Sequence, residues 1–246
     1  MNNKQAIVAT ISDNIPLGSP SRYDGRMRVG LLIAIAALFG LAPSGCEKPV
    51  PAGPSSTQLI EVRGEPDSFR AKLVCFERFG RTWDRVFECP ATIGKNGLIL
   101  SDDKREGDGK TPVGIFKLGR AFGYSPRIET GLQYEPVSDV DIWIDDPESP
   151  DYNLRVKKPT QAKSFEELLR ADQLYEFAAV IEYNTKPVKK GAGSAIFLHV
   201  WGGKDRPTAG CVAVEREKLI SILKWLDARK LPQVIIAFDG GKTTDR

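Results

Sequence analysis

Apolar residues recur along this chain in short runs broken by Gly and Pro, not in long helical stripes. From Gln58 onward they predict strands at Leu59–Val62, Ala71–Glu77, Trp83–Cys89, Ile142–Ile144, Ala178–Tyr183, Ala195–His199, Gly210–Val214 and Val234–Phe238. Gly80-Arg81, between the second and third of these, reads as a hairpin turn that would set Cys75 opposite Val86. Helical spacing is confined to two places. Leu219, Ile220, Leu223 and Leu226 predict a helix over Glu215–Arg229, and a shorter helix is expected over Ser164–Leu174. There is no internal repeat. The pattern predicts a mostly β (α+β) domain over residues 58–246 with a few helices and long loops.

The longest apolar run lies ahead of that domain. Val29–Leu41 is 13 residues long and follows Arg26 and Arg28. A membrane-spanning helix needs about 20 apolar residues and a signal-peptide core roughly 7–15, so the run reads as an export signal. It ends in Ala42-Pro43-Ser44-Gly45-Cys46, which resembles a bacterial lipobox and makes Cys46 the lipidation candidate. A plain secretory signal and an uncleaved short anchor are the alternatives. Residues 1–45 are therefore expected to be a signal-peptide region, with Met27 the expected true start, and residues 46–57 a Pro/Ser-rich tether. The expected location is the periplasm or cell envelope, as a membrane-anchored lipoprotein.

Composition narrows the chemistry. With 246 residues, 41% of them apolar, the chain can bury a substantial core. Its net charge of +3 falls to +1 without residues 1–45, so nothing points to a nucleic-acid partner. The one histidine and four cysteines without C-x-x-C spacing argue against a metal site, and no cofactor is expected. Gly107-Asp108-Gly109-Lys110-Thr111-Pro112 imitates a phosphate loop, but Lys104 stands where the first glycine is needed, and the run Ser101–Lys110 reads as a solvated, tightly turned loop. Cys75 and Cys89 sit on the two arms of the hairpin, either as a disulfide or as two buried thiols.

Ser194–Val214 carries the candidate chemistry. An apolar strand ends at His199, and Thr208-Ala209-Gly210-Cys211 leads into a second strand. A thiol with its ordinary pKa is mostly protonated at neutral pH, so a nucleophilic cysteine needs a basic neighbour, which His199 could supply to Cys211. Gly210 allows close backbone approach, and N–H groups of the Thr208-Ala209-Gly210 turn are candidates for binding an oxyanion or positioning substrate. The alternative is a structural thiol and an incidental histidine.

The chain resembles the L,D-transpeptidase catalytic domain (YkuD type), in the branch whose cysteine lies in T-A-G-C-V-A. The matching blocks are Thr92–Gly97, Lys104–Phe116, Asp151-Tyr152-Asn153, Glu182-Tyr183-Asn184, Gly193–His199 and Thr208–Val214. The resemblance implies a β-sandwich or barrel with peripheral helices and a long helix in the C-terminal region. It also implies an acyl transfer between peptidoglycan stem peptides, donor and acceptor, through a Cys211 thioester with His199 as base. Where the family commonly has S-H-G-C, this chain has Thr208-Ala209-Gly210-Cys211, so any orienting role of that histidine falls to Thr208, to main-chain groups or to nothing. An L,D-carboxypeptidase or endopeptidase acting on the same bond, and a non-catalytic peptidoglycan-binding lipoprotein, are the rival functions. Lys110, Trp143, Tyr183 and Trp201 are candidate groove residues.

Overall fold

The computed structural model describes residues 56–241; the expected signal segment, Cys46 and nearly all of the tether lie outside the described residues. Residues 51–246 form one compact unit. Its strands are β1 (Gln58–Gly64), β2 (Arg70–Phe79), β3 (Thr82–Thr92), β4 (Leu98–Leu100), β5 (Thr111–Gly123), β6 (Tyr134–Pro136) and β7 (Asp141–Ile144). They continue with β8 (Arg155–Lys157), β9 (Phe165–Glu167), β10 (Phe177–Ile181), β11 (Phe197–Val200), β12 (Val212–Val214) and β13 (Gln233–Phe238). The α-helix among the described residues is α1 (Arg216–Trp225). The fold is mostly β, as the chain's patterning predicts.

The main sheet runs β10-β11-β12-β3-β2-β1-β13-β5-β4, and a further pairing of β10 with β5 closes it into a barrel. A small sheet, β8-β7-β9, stands apart. Side chains alternate across each strand, so the wall between two cores must be apolar on both faces. In β10, Ala179 and Ile181 join the barrel core, while Ala178 and Val180 join a second core outside it. In β11, Leu198 points into the barrel and Phe197 into the outer core, where Trp143 of β7 meets it. This explains why Ala195–His199 reads as a continuous apolar run.

Several expectations need correction. The helix ends at Trp225, short of Arg229, because the chain peels away to bridge Gly131: Gly131 N–H donates to Leu226 O at 2.9 Å, and Ala228 N–H to Gly131 O at 3.1 Å. Asp227 then caps a separate 3-10 turn, accepting from Arg229 N–H at 2.9 Å. No helix forms over Ser164–Leu174. Phe165–Glu167 pairs with β7 instead, and Leu168 is fully buried while Leu169 is exposed, which leaves no helical face to pack.

β5, which spans 13 residues and joins β4, β13, β10 and β6, is invisible to patterning because glycines punctuate it. At Gly123 a Cβ would lie 2.3 Å from Glu176 O, so glycine here permits close strand approach and does not mark a turn. The hairpin turn at Gly80-Arg81 forms as expected, but a bulge sets Cys75 opposite Phe87. Cys89 faces Leu73, two positions away, and both cysteines are free buried thiols. Such a diagonal offset, about 7–8 Å, exceeds the usual Cα separation of a disulfide.

The outer core turns on Phe197, whose ring meets Trp143, Phe122 and Tyr175 edge-on with centroids 4.9, 5.2 and 5.5 Å away. Phe197→Ala is expected to cost about 3–5 kcal/mol in urea denaturation. A loss below about 1 kcal/mol would show that the small sheet is not held by this cluster.

Candidate active site

The site lies on the outer face of the barrel wall. β11 and β12 run parallel, with Leu198 opposite Val212 and His199 opposite Ala213. Leu198, Val212 and Val214 face the barrel core, so alternation turns His199, Cys211 and Ala213 outward together. The next strand continues the row, since Thr92 of β3 pairs with Ala213. A cavity of about 800 Å³ opens over this face, lined by Cys211, His199, Ala213, Thr92 and the Arg206–Gly210 loop.

The turn carrying Cys211 is fixed by three conformational devices. The buried Thr111 hydroxyl donates to Gly210 O and accepts from Gly94 N–H, both at 2.8 Å. Thr208 Oγ1 donates to Cys211 O at 2.7 Å and accepts Gly210 N–H at 3.1 Å. Gly210, at φ +150°, passes so near Lys110 that a Cβ would sit 2.9 Å from Lys110 O. Thr208 thus braces the turn where the common motif has its own residues. Gly210 N–H donates to Thr208 Oγ1 in the resting arrangement and would have to leave it to meet an oxyanion. Ala209 lines the cavity from the same turn.

Thiol and imidazole have separate partners. Cys211 Sγ–H donates to Ala195 O at 3.1 Å, and Phe197 N–H donates to Sγ at 3.3 Å. His199 Nδ1 lies 2.7 Å from Val200 O. A carbonyl only accepts, so Nδ1 holds the proton and Nε2 keeps the basic lone pair. The ring packs edge-on against Tyr175, with centroids 5.2 Å apart. Burial, reinforced by the Glu166 carboxylate, pushes the Cys211 thiol up to about 12. Burial also pushes the imidazole down to about 4, against the opposing pull of the Val200 carbonyl. The resting pair is neutral thiol and neutral imidazole, not an ion pair.

Opposite them stands a polar wall that patterning did not disclose. Glu166 accepts from the Tyr175 hydroxyl, and burial raises its carboxyl. Glu106 accepts from the Tyr152 hydroxyl and from Ser194 Oγ at 2.7 Å. Lys104, almost fully buried, pairs with Asp108 at 2.7 Å. Asp108 also accepts the main-chain N–H groups of Arg105 and Lys110, so the loop ahead of β5 turns about one carboxylate, and Thr111-Pro112 already belongs to that strand. Of the four candidate groove residues, Trp201 lines the cavity. Lys110 instead reaches Asn96 O, Trp143 donates to Asn153 within the outer core, and Tyr183 donates to Ala192 O. Lys104, Glu106 and Ser194 lay within the family-like blocks, which was the available signal; Glu166 and Tyr175 had none.

A parallel strand pair presenting a cysteine and a histidine to one cavity fits a cysteine-dependent enzyme. The family model of the L,D-transpeptidase catalytic domain (YkuD) matches residues 71–236, and the chain belongs to that family. A comparison with curated proteins finds no match. Among solved structures, Bd1075 of Bdellovibrio bacteriovorus is similar at 22% identity and a TM-score of 0.38, covering 74% of this chain and 48% of that one. The chain thus spans about half the length of that structure.

Two outcomes follow from the neutral pair. Alkylation of Cys211 by iodoacetamide should accelerate steadily from pH 7 to pH 10, because thiolate remains scarce throughout; a plateau near neutrality would reveal an ion pair. His199 binds its proton near pH 6.5 when unfolded and near 4 when folded, so its contribution to stability is full above 6.5 and lost as pH falls toward 4. Relative to His199→Gln, the native protein should lose on the order of 3 kcal/mol across that window in denaturation titrations. Parallel pH curves for the two proteins would refute the burial argument.

Proposed function

We propose that this protein is an L,D-transpeptidase that cross-links peptidoglycan stems through a Cys211 thioester. The observation that carries the reading is a thiol and an imidazole, its Nδ1 against Val200 O, on one face of adjacent strands and open to a cavity large enough for a peptide. The thiol turns from Ala195 O into the groove and attacks the carbonyl of the donor's L-to-D bond while His199 Nε2 takes its proton. Phe197 N–H, already donating to Sγ, favours the charge that develops on sulfur. The tetrahedral intermediate collapses to a thioester, and the terminal D-residue leaves as an amine carrying the proton from His199. An amine of a neighbouring stem then attacks the thioester, gives its proton to Nε2, and the thiol is restored. Water in place of that amine would make the same site an L,D-carboxypeptidase. The Arg26/Arg28 and Val29–Leu41 pattern together with Cys46 supports action in the cell envelope on a lipid anchor.

With disaccharide-tetrapeptide as substrate, the protein should release the terminal D-residue and form cross-linked dimers. Cys211→Ala should abolish both, and His199→Ala should slow them by about a hundredfold or more. A carbapenem should add its mass to the native protein and not to Cys211→Ala. Retained turnover in Cys211→Ala would overturn the assignment, and trimmed stems without dimers would assign hydrolysis.

A further inference from the structure

The hairpin joining β2 and β3 projects an unusual tip. Phe79 is 61% exposed, Arg81 and Arg85 are exposed, and Arg78 lies against the Trp83 ring with its guanidinium carbon 5.7 Å from the centroid. Asp84 and Glu88 are exposed acids beside them, and Arg85 pairs with Glu88 at 2.8 Å. The first described residues leave the barrel beside it: Arg78 N–H donates to Thr57 O at 2.9 Å, and Gln58 pairs with Glu77. Thr57 N–H in turn donates to Lys230 O at 2.9 Å, and Leu231, the next residue, is 53% exposed. An exposed aromatic and an exposed aliphatic side chain, with cations beside them, therefore flank the point where the tether enters the domain. An anchored Cys46 would keep Ser56 within about 35 Å of the bilayer at full extension.

We infer that the Phe79–Arg81 hairpin tip is a docking surface for an anionic lipid bilayer. The chemistry fits: Phe79 and Leu231 insert at the headgroup boundary, and the arginines meet lipid phosphates, with apolar stems covered by the interface. The geometry gives docking a purpose. The tip begins β3 at Thr82, and the groove lies at its other end, at Thr92, about 30 Å along the strand. A domain standing on its hairpin tip holds the Cys211 groove away from the membrane, toward the cell wall. The inference rests on the proposed lipid anchor for its direction, but the surface itself can be assayed without the lipid.

The test uses the compact unit, residues 51–246, which lacks both Cys46 and the Val29–Leu41 run. It should sediment with phosphatidylglycerol vesicles about tenfold more than with phosphatidylcholine vesicles, and lose that preference at high salt. Phe79→Ser and Arg81→Glu should each weaken sedimentation about fivefold or more while leaving thermal stability and turnover of soluble stems unchanged. Absent binding, binding indifferent to both substitutions, or binding to isolated sacculi in preference to vesicles would overturn the proposal. Mass analysis of the native amino terminus reads the anchor separately: an unlipidated Cys46 with intact vesicle binding would sink the anchor and leave the docking surface standing.

Discussion

The site depends on the register between β11 and β12. Side chains alternate with a period of two, so a slip of one residue would exchange Leu198 for His199 and Val212 for Cys211 or Ala213 on the outer face. The slip would bury an imidazole in the barrel and expose two aliphatic chains. The barrel core penalises that exchange, because it would have to take the imidazole in place of Leu198. Thr111 adds a second lock by tying the Cys211 turn to Gly94 on the chain leaving β3. Separate family-like blocks, Thr92–Gly97, Lys104–Phe116 and Thr208–Val214, thus meet at one buried hydroxyl.

Burial that holds the register also sets the electrostatics. Cys211 and His199 are deep enough that neither charges in the resting protein, which protects the thiol from adventitious alkylation and oxidation. The polar wall of Glu106, Glu166 and Lys104 occupies the same cavity without pairing to either group, so its charges act at a distance. A substrate that reorients the thiol toward the imidazole would therefore assemble the reactive pair only when bound.

Some elements were legible because a local signal sufficed. The β2–β3 hairpin needed only Gly80-Arg81 between two strand-like runs, and the strand segments ending near His199 and beginning after Cys211 needed only their apolar content. Others were not. β5 carries glycines for close approach to neighbouring strands, and from sequence a glycine required by a neighbour is indistinguishable from one that makes a turn. Ser164–Leu174 has a helix-like pattern, but Phe165–Glu167 within it is claimed by β7, and the helix after Glu215 stops where Gly131 offers better partners than another turn. Trp143 and Tyr183 were legible as aromatic but not as core, since their partners Asn153 and Ala192 lie elsewhere in the chain.

The sequence by itself determined the class of fold, the family, and the pairing of one cysteine with the single histidine as candidates, because these are carried by composition and contiguous motifs. Tertiary structure alone decided which face those two side chains share, which charged groups surround them, and that both rest neutral. It also decided the offset of Cys75 and Cys89, which a bulge between Cys75 and Phe76 narrows from three positions to two without bringing them opposite each other. Strand alternation is written locally. Which neighbour a strand chooses, and how much water that choice excludes, depends on the whole barrel closing.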